Sequence, residues 1–125
     1  MAVVNKVAFG MQGQQEAEKF LRGKGYVIVE RNFRVRTGEI DLIVMDGGYI
    51  VFVEVKYRLG SGHGLPRESV GRGKQRKICK TALHYIAIKG QDVADQDFRF
   101  DVVEVLGGDG KIVVSHIENA FDYIG

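Results

Sequence analysis

Two adjacent glycines, Gly47 and Gly48, lie between two runs that are rich in β-branched and apolar residues. Both glycines can adopt positive φ, which the favoured two-residue turns of a β-hairpin require. We therefore predict a hairpin with strands near Glu39–Met45 and Tyr49–Tyr57. Because antiparallel pairing continues outward from the turn at a constant sum of residue numbers, the turn fixes which side chains face each other.

This hairpin brings acidic residues together. With the turn at Gly47-Gly48, Asp41 lies across from Glu54, and Glu39 lies across from Lys56. Facing residues have Cβ atoms roughly 4.5–5.5 Å apart, so two carboxylates repel each other unless a divalent metal or an ammonium group lies between them. Lys56 projects from the same face as Glu54 because side chains alternate along a strand. We predict a metal-dependent hydrolytic site with Asp41, Glu54 and Lys56 as catalytic residues.

Other turns are compatible with the same stretch. A turn at Asp46-Gly47 shifts the pairing by two residues, so that Glu39 faces Glu54 and the acids stay on one face. A three-residue loop shifts the pairing by one residue and places the acids of the first strand among the valines of the second, where unpaired charges are costly. The registers that keep the acids on one face are therefore favoured.

The order of these residues resembles a known nuclease signature. Asp41, followed on the next strand by Glu54-Val55-Lys56, is similar to the PD-(D/E)XK motif of the restriction-endonuclease-like superfamily. The strings GEIDLI and VFVEVKYR, with RFDVV at 99–103, resemble the YraN family of small bacterial proteins, which are related to archaeal Holliday junction resolvases. The resemblance runs from about Gly13 to Phe121. It implies an α/β restriction-endonuclease-like core in the order α-β-β-β-α-β-β, with a mixed sheet flanked by helices.

The resemblance also implies a function, which is hydrolysis of DNA phosphodiester bonds with Mg²⁺ or Mn²⁺, with branched or structured DNA as the favoured substrate. Two carboxylates supply the hard oxygen ligands that these ions prefer, and waters and a substrate phosphate complete the octahedral shell. Two rival hypotheses stay open: a catalytically silent nucleic-acid-binding module, and a nuclease fold that serves as a partner-binding subunit. The sequence does not determine the oligomeric state, and a homodimer is one open alternative.

Two further residues are candidate metal ligands. Glu39 can bind the ion through water, or it can serve as the structural partner of Lys56. Related proteins have a glutamate in the first helix that joins the site, whereas this chain has Gln14 at the matching position. Gln14 can bind a metal or water through its amide oxygen, and Glu18, one helical turn further on, is a charged alternative. Because Gln14 leaves the site with one negative charge fewer, we expect weaker metal binding.

Basic residues cluster on both sides of the acidic hairpin. Between Arg67 and Lys80 there are six basic residues and one acid, although the net charge of the chain is only +2. Cations beside an acidic metal site suit a polyanion whose backbone they hold. The predicted DNA contacts are Arg58, Lys74, Gln75, Arg76 and Lys77. The alternative is an ordinary solvated surface, and for Gln75 the ordinary position of a residue at the start of a helix.

The remaining features predict one domain over residues 1–125. The chain has one cysteine, no apolar run long enough to span a bilayer and no signal-peptide segment, so we expect a cytoplasmic protein without membrane association. Helices are expected from near Gly13 to Arg22, and from a start between Ser69 and Lys74 to Gly90. A long loop is expected over Leu59–Gly73.

The strand pattern predicts a sheet that is buried on both faces. Further strands are expected at Tyr26–Glu30, Asn32–Arg36, Phe98–Leu106 and Lys111–Ile117. The apolar residues of the hairpin are expected in two sets, with Ile40, Leu42 and Val44 on one face and Ile43, Ile50 and Phe52 on the other. Apolar residues on both faces are typical of a sheet covered by helices on both sides.

Overall fold

The computed structural model describes residues 6–59, 70–93, 95–108 and 110–124, with the side chains of residues 6–11 and 59 left out. Most of the loop predicted over Leu59–Gly73 lies outside these residues. The elements are helix α1 (Lys6–Gly23), strands β1 (Val27–Val35), β2 (Gly38–Asp46) and β3 (Tyr49–Leu59), helix α2 (Arg72–Lys89), and strands β4 (Asp97–Gly108) and β5 (Lys111–Phe121). Within the described ranges, no helix has the length and apolar character needed to cross a membrane.

The strands form one five-stranded sheet in the order β1-β2-β3-β4-β5. Neighbouring strands are antiparallel except β3 and β4, which are parallel. A parallel pair needs a crossover connection, and α2 lies in that connection. The predicted α/β core, in the order α-β-β-β-α-β-β with a mixed sheet flanked by helices, is confirmed.

Each face of the sheet packs against one helix and has its own apolar core. The core on the α2 face includes Ile43, Ile50, Phe52, Phe100, Ile78, Cys79 and Ala82. The core on the α1 face includes Leu42, Val44, Val51, Val53, Val103, Ala17 and Leu21. Because the central strands are buried on both faces, their sequences are nearly continuous apolar runs.

The hairpin has the predicted register. β2 pairs with β3 from the turn outward as far as Leu42–Val53, with the constant sum of residue numbers that a turn at Gly47-Gly48 sets. The ladder ends one residue before Asp41 and Glu54 would pair directly. The two strands therefore separate at the position of the predicted acidic pair.

The predicted alternation along β2 is wrong at Ile40. Ile40 packs in the core on the α2 face together with Ile43, whereas Leu42 packs in the core on the α1 face. Residues three positions apart share a face only where a strand departs from regular alternation. The departure falls around Asp41, where the pairing with β3 also ends.

Helix α1 begins at Lys6, earlier than the predicted start near Gly13. Gly13 lies inside the helix, where it permits a close approach to the sheet. A Cβ added to Gly13 would lie 3.1 Å from the Cβ of Tyr57 on β3. The absence of a side chain at this position therefore lets α1 contact the strand that carries Glu54.

A buried ionic network joins β4 and β5. Asp101 is fully buried and accepts hydrogen bonds from Arg99 Nε at 3.1 Å and from the backbone N–H of Asn119 at 2.9 Å. His116 Nε2 lies 2.7 Å from Asp101 Oδ2. Burial alone would raise the pKa of Asp101, but the hydrogen bonds from His116 and Arg99 lower it. The polar residues of the RFDVV string therefore form a structural charge network inside the sheet.

Candidate active site

Asp41 lies where β2 separates from β3. Its Oδ2 accepts a hydrogen bond from the backbone N–H of Val55 at 2.8 Å. In a regular β-ladder, a backbone carbonyl of the neighbouring strand would accept such a bond. Burial, followed by the negative charge of Glu54, raises the pKa of Asp41 from 3.8 to about 7. The two acids are therefore close enough to oppose simultaneous ionisation, as the predicted pair requires.

Glu54 projects from β3 and is 6% exposed. Its Oε1 lies 2.5 Å from Nζ of Lys74 on α2 and 3.8 Å from Nζ of Lys56 on β3. A buried carboxylate is unfavourable without a compensating charge, and these two ammonium groups supply it. The structure thus brings the three predicted catalytic residues together with Lys74. We call Asp41, Glu54, Lys56 and Lys74 the acid–lysine cluster.

The two lysines of this cluster influence each other. Burial lowers the pKa of Lys56, and the neighbouring Lys74 lowers it further. Burial alone would also lower the pKa of Lys74, but its hydrogen bond to Glu54 and the charge of Glu54 raise it. Lys56 is therefore the lysine that gives up a proton more readily, and Lys74 is the more firmly charged.

Glu39 is held by β1. Arg34, its cross-strand neighbour on β1, donates to Oε2 at 3.0 Å, and Asn32 donates to Oε1 at 3.0 Å. The predicted pairing of Glu39 with Lys56 does not form, because the ladder between β2 and β3 ends before that position. The charge of Glu39 nevertheless adds to burial and to Glu54 in raising the pKa of Asp41. Glu39 therefore lies at the edge of the acid–lysine cluster.

Gln14 is linked to the site through Asn32. Its Nε2 donates to Asn32 Oδ1 at 3.0 Å, and Asn32 donates in turn to Glu39. Glu18, the charged alternative on the same helix, is 7% exposed and lies 2.8 Å from Arg31. Gln14, which stands where an acid was expected, therefore contacts Glu39 only through Asn32. Glu18 is neutralised by Arg31.

The first turns of α2 carry exposed cations. We call these residues the α2 basic segment: Arg72, Lys74, Arg76 and Lys77. The first turn contains no acidic residue, and the N-cap residue is Gly71, which has no side chain that could cap the helix. Exposed cations at the N-terminus of a helix create a positive potential that favours phosphate groups.

Gln75 and Arg58, two other predicted DNA contacts, have partners within the protein. Gln75 Nε2 donates to the carbonyl of Val70 at 2.9 Å and so holds the segment that leads into α2. Arg58 Nε lies 3.4 Å from Glu104 Oε2 on the neighbouring strand β4. These contacts show where the side chains lie, and their role in DNA binding stays a prediction.

Glu104 lies beside the cluster but was not predicted from the sequence. This residue is 4% exposed, and the register of β3 with β4 places it beside Lys56. Within the described part of the chain, its Oε2 makes no hydrogen bond, although Arg58 lies near. The parallel register would have identified Glu104, but no short-range pattern sets the register of two strands joined by a long crossover.

The donor set can be compared with the needs of a divalent metal. The described residues contain no group of three or more His, Cys, Asp or Glu placed to hold an ion. A metal at this site would therefore take two protein carboxylates, those of Asp41 and Glu54. Such a pair fits Mg²⁺ or Mn²⁺, since Mg²⁺ commonly keeps several waters and takes its remaining oxygens from a substrate phosphate. It does not fit a closed structural metal site, which needs four protein ligands.

Comparison with known proteins identifies the family. The model of "Uncharacterised protein family UPF0102" matches residues 13–105, which include the whole acid–lysine cluster. A UPF0102 protein of Symbiobacterium thermophilum is 49% identical over 113 residues, which cover 90% of this chain and 94% of the relative. A UPF0102 protein of Persephonella marina is 43% identical over 90% of this chain and 92% of its own length. One from Lachnoclostridium phytofermentans is 41% identical over 98% of this chain and 99% of the relative. The predicted family is thus confirmed, and the chain belongs to the UPF0102 (YraN) family.

Proposed function

We propose that this protein is a metal-dependent DNA nuclease of the PD-(D/E)XK type, with Asp41, Glu54 and Lys56 as its catalytic residues. The observation that carries the proposal is the acid–lysine cluster, in which two repelling carboxylates lie largely buried where β2 separates from β3. Buried acids that repel each other destabilise the metal-free fold. Lys74 and Lys56 offset the charge of Glu54, whereas the pKa of Asp41 stays raised, and a divalent ion bound by both acids would remove this remaining cost of ionising Asp41.

Each residue of the cluster has a distinct role in the proposed reaction. Asp41 and Glu54 would hold Mg²⁺ or Mn²⁺, which, when bound, lowers the pKa of a water and neutralises charge that builds on the phosphate. Asp41 is oriented for this by the N–H of Val55, which fixes one of its oxygens. Lys56 lies 3.8 Å from Glu54, and its ammonium group would orient and stabilise the attacking hydroxide or contact the scissile phosphate.

The proposed substrate is DNA. A phosphodiester backbone that approaches two acids needs cations to hold it, and the α2 basic segment lies beside the acids. Lys74 belongs to both the segment and the cluster, so the phosphate-binding surface and the cleavage site are continuous. The further proposal that branched DNA is favoured rests on the resemblance of the motif to junction-resolving nucleases.

A catalytically silent nucleic-acid-binding module is the second candidate, and one observation favours it. Where related proteins have a glutamate, Gln14 binds Asn32, and Glu39 is already bonded to an arginine. Among the described residues, the acid–lysine cluster itself contributes two acids, Asp41 and Glu54, with which to hold an ion. A silent module would bind DNA through the α2 basic segment and leave the backbone intact.

A nuclease assay with matched variants separates the two candidates. The purified chain is incubated with linear, single-stranded and four-way-junction DNA in Mg²⁺, Mn²⁺ or chelator. We expect metal-dependent cleavage that Asp41→Asn, Glu54→Gln and Lys56→Met each reduce by more than about a hundredfold, because each variant loses a ligand of the ion or the cation beside the attacking hydroxide. Asp97→Asn, which changes an exposed acid outside the cluster, is the control and should cleave like wild type. DNA binding without cleavage would support the silent module, and equal cleavage by Asp41→Asn would contradict the proposed catalytic role of Asp41.

A further inference from the structure

Lys74, not Lys56, is the ammonium group that lies closest to the acids. Its Nζ is 2.5 Å from Glu54 Oε1, whereas Lys56 Nζ is 3.8 Å from the same oxygen. Lys74 comes from α2, while Glu54 and Lys56 come from β3. The positive charge that neutralises Glu54 is therefore supplied by a different element, and that element also carries the α2 basic segment.

The Lys74 side chain can leave Glu54 without movement of its helix. It is 45% exposed, whereas the side chain of Glu54 is 6% exposed, so one partner of the pair is open to solvent and the other is not. The start of α2 is held by a backbone hydrogen bond from Gln75 to Gly71 and by the Gln75 side chain on Val70. Rotation of the flexible four-carbon stem of the lysine is thus enough to move the ammonium group into solvent.

A divalent ion and the Lys74 ammonium compete for Glu54 Oε1. A Mg²⁺ ion on that oxygen would lie about 2.0–2.1 Å from it, on the same side of the carboxylate region that Lys74 Nζ contacts. Two positive groups that share one carboxylate oxygen repel each other strongly. Binding of the ion to Glu54 Oε1 therefore favours release of Lys74.

We propose that Lys74 is an exchangeable counter-cation, which neutralises Glu54 in the metal-free protein and is transferred to a DNA phosphate when the divalent ion binds. This inference rests on the proposed function and assigns Lys74 as a positioning residue that couples two ligands. A phosphate that holds Lys74 frees Glu54 for the ion, and the ion that occupies Glu54 frees Lys74 for the phosphate. Because binding free energies are reciprocal, DNA must raise metal affinity by the same factor by which metal raises DNA affinity.

The test compares Mn²⁺ affinity, measured by titration calorimetry, between wild type and Lys74→Met without DNA. Removing the competing ammonium should tighten Mn²⁺ binding about threefold to tenfold, in line with the strength of a partly exposed ion pair. Lys80→Met, which removes an exposed lysine from the same helix, is the matched control and should stay within about twofold of wild type. Unchanged or weaker Mn²⁺ binding by Lys74→Met would overturn the proposal.

The coupling is tested with a short phosphorothioate duplex, which keeps the backbone charge and resists hydrolysis. Saturating duplex should increase the Mn²⁺ affinity of wild type and of Lys80→Met by a similar factor. For Lys74→Met, that factor should be at least about threefold smaller. Equal coupling in the three proteins would show that the duplex acts on the ion without Lys74. That result would overturn the exchange.

A measurement on wild type avoids any effect of the variants on folding. The ammonium ¹⁵N signal of Lys74, identified by its absence from Lys74→Met, is followed as Mg²⁺ is added. We expect it to move from the position of an ion-paired lysine to that of a solvated one. A signal that is unchanged at saturating Mg²⁺ contradicts the exchange.

Asp41→Asn distinguishes failure of this proposal from failure of the proposed function. If Asp41→Asn binds Mn²⁺ as wild type does, or if no protein binds Mn²⁺, the acids do not hold the ion and both proposals fail. If Asp41→Asn loses Mn²⁺ binding while Lys74→Met matches wild type, the metal site stands and only the role of Lys74 is rejected.

Discussion

Replacing Asp41 with asparagine removes one of two repelling charges at nearly constant shape. The amide oxygen of asparagine can still accept the hydrogen bond from the N–H of Val55, so the separation of β2 from β3 is kept. The substitution therefore isolates the free-energy cost of ionising Asp41 beside Glu54 in the metal-free protein. We expect Asp41→Asn to be more stable than wild type at neutral and alkaline pH.

The magnitude follows from the pKa of Asp41, which burial and Glu54 raise from 3.8 to about 7. A carboxyl whose pKa is higher in the folded state stabilises the fold fully below its unfolded pKa, and this contribution is lost as pH rises through the folded pKa. Each pH unit corresponds to about 1.4 kcal/mol, so the upper limit over this window is about 4 kcal/mol. Screening by water lowers the measurable difference, and we expect about 2–4 kcal/mol.

The assay is urea unfolding of both proteins in chelator, at a series of pH values from about 4 to 8. The difference in unfolding free energy between Asp41→Asn and wild type should be small near pH 4 and should grow until it levels off above pH 7. Added Mn²⁺ should reverse the order at pH 8, because it stabilises only the protein that retains both acids. A difference that does not vary with pH would refute the assignment of a raised pKa to Asp41.

Three other predictions concern the surroundings of the cluster. Neutralising three cations of the α2 basic segment should weaken DNA binding in anisotropy titrations and reduce the salt slope by roughly 0.9 for each phosphate that is no longer neutralised, whereas an unchanged slope would assign them to ordinary surface. Arg99→Met should lower the free energy of urea unfolding by about 3 kcal/mol, because the fully buried Asp101 loses its charged partner, and a decrease under about 1 kcal/mol would contradict this. Gln14→Glu places a new acid on Asn32 close to Glu39, so thermal melts should show destabilisation in chelator and recovery in millimolar Mn²⁺. Melts that match wild type in both conditions would show that Gln14 is electrically separate from the site.

The hairpin is the part of the protein that its sequence determined most completely. Gly47 and Gly48 set a two-residue turn, and with it the register that holds as far as Leu42–Val53. Because side chains alternate along a strand, that local choice was enough to place Glu54 and Lys56 on one face beside Asp41. The element order followed in the same way from short-range patterns of apolar and turn residues.

The tertiary structure decided the partners of these residues. Lys74 lies 20 residues beyond Glu54 in sequence, and only the packing of α2 on the sheet brings its ammonium to 2.5 Å from the acid. The register of β4 likewise places Glu104 beside Lys56, and the pairing of β1 with β2 places Arg34 beside Glu39. Turn and strand preferences act over a few residues, so the sequence carries them directly. Contacts across a crossover depend on how whole apolar faces fit together, and no local pattern encodes that fit.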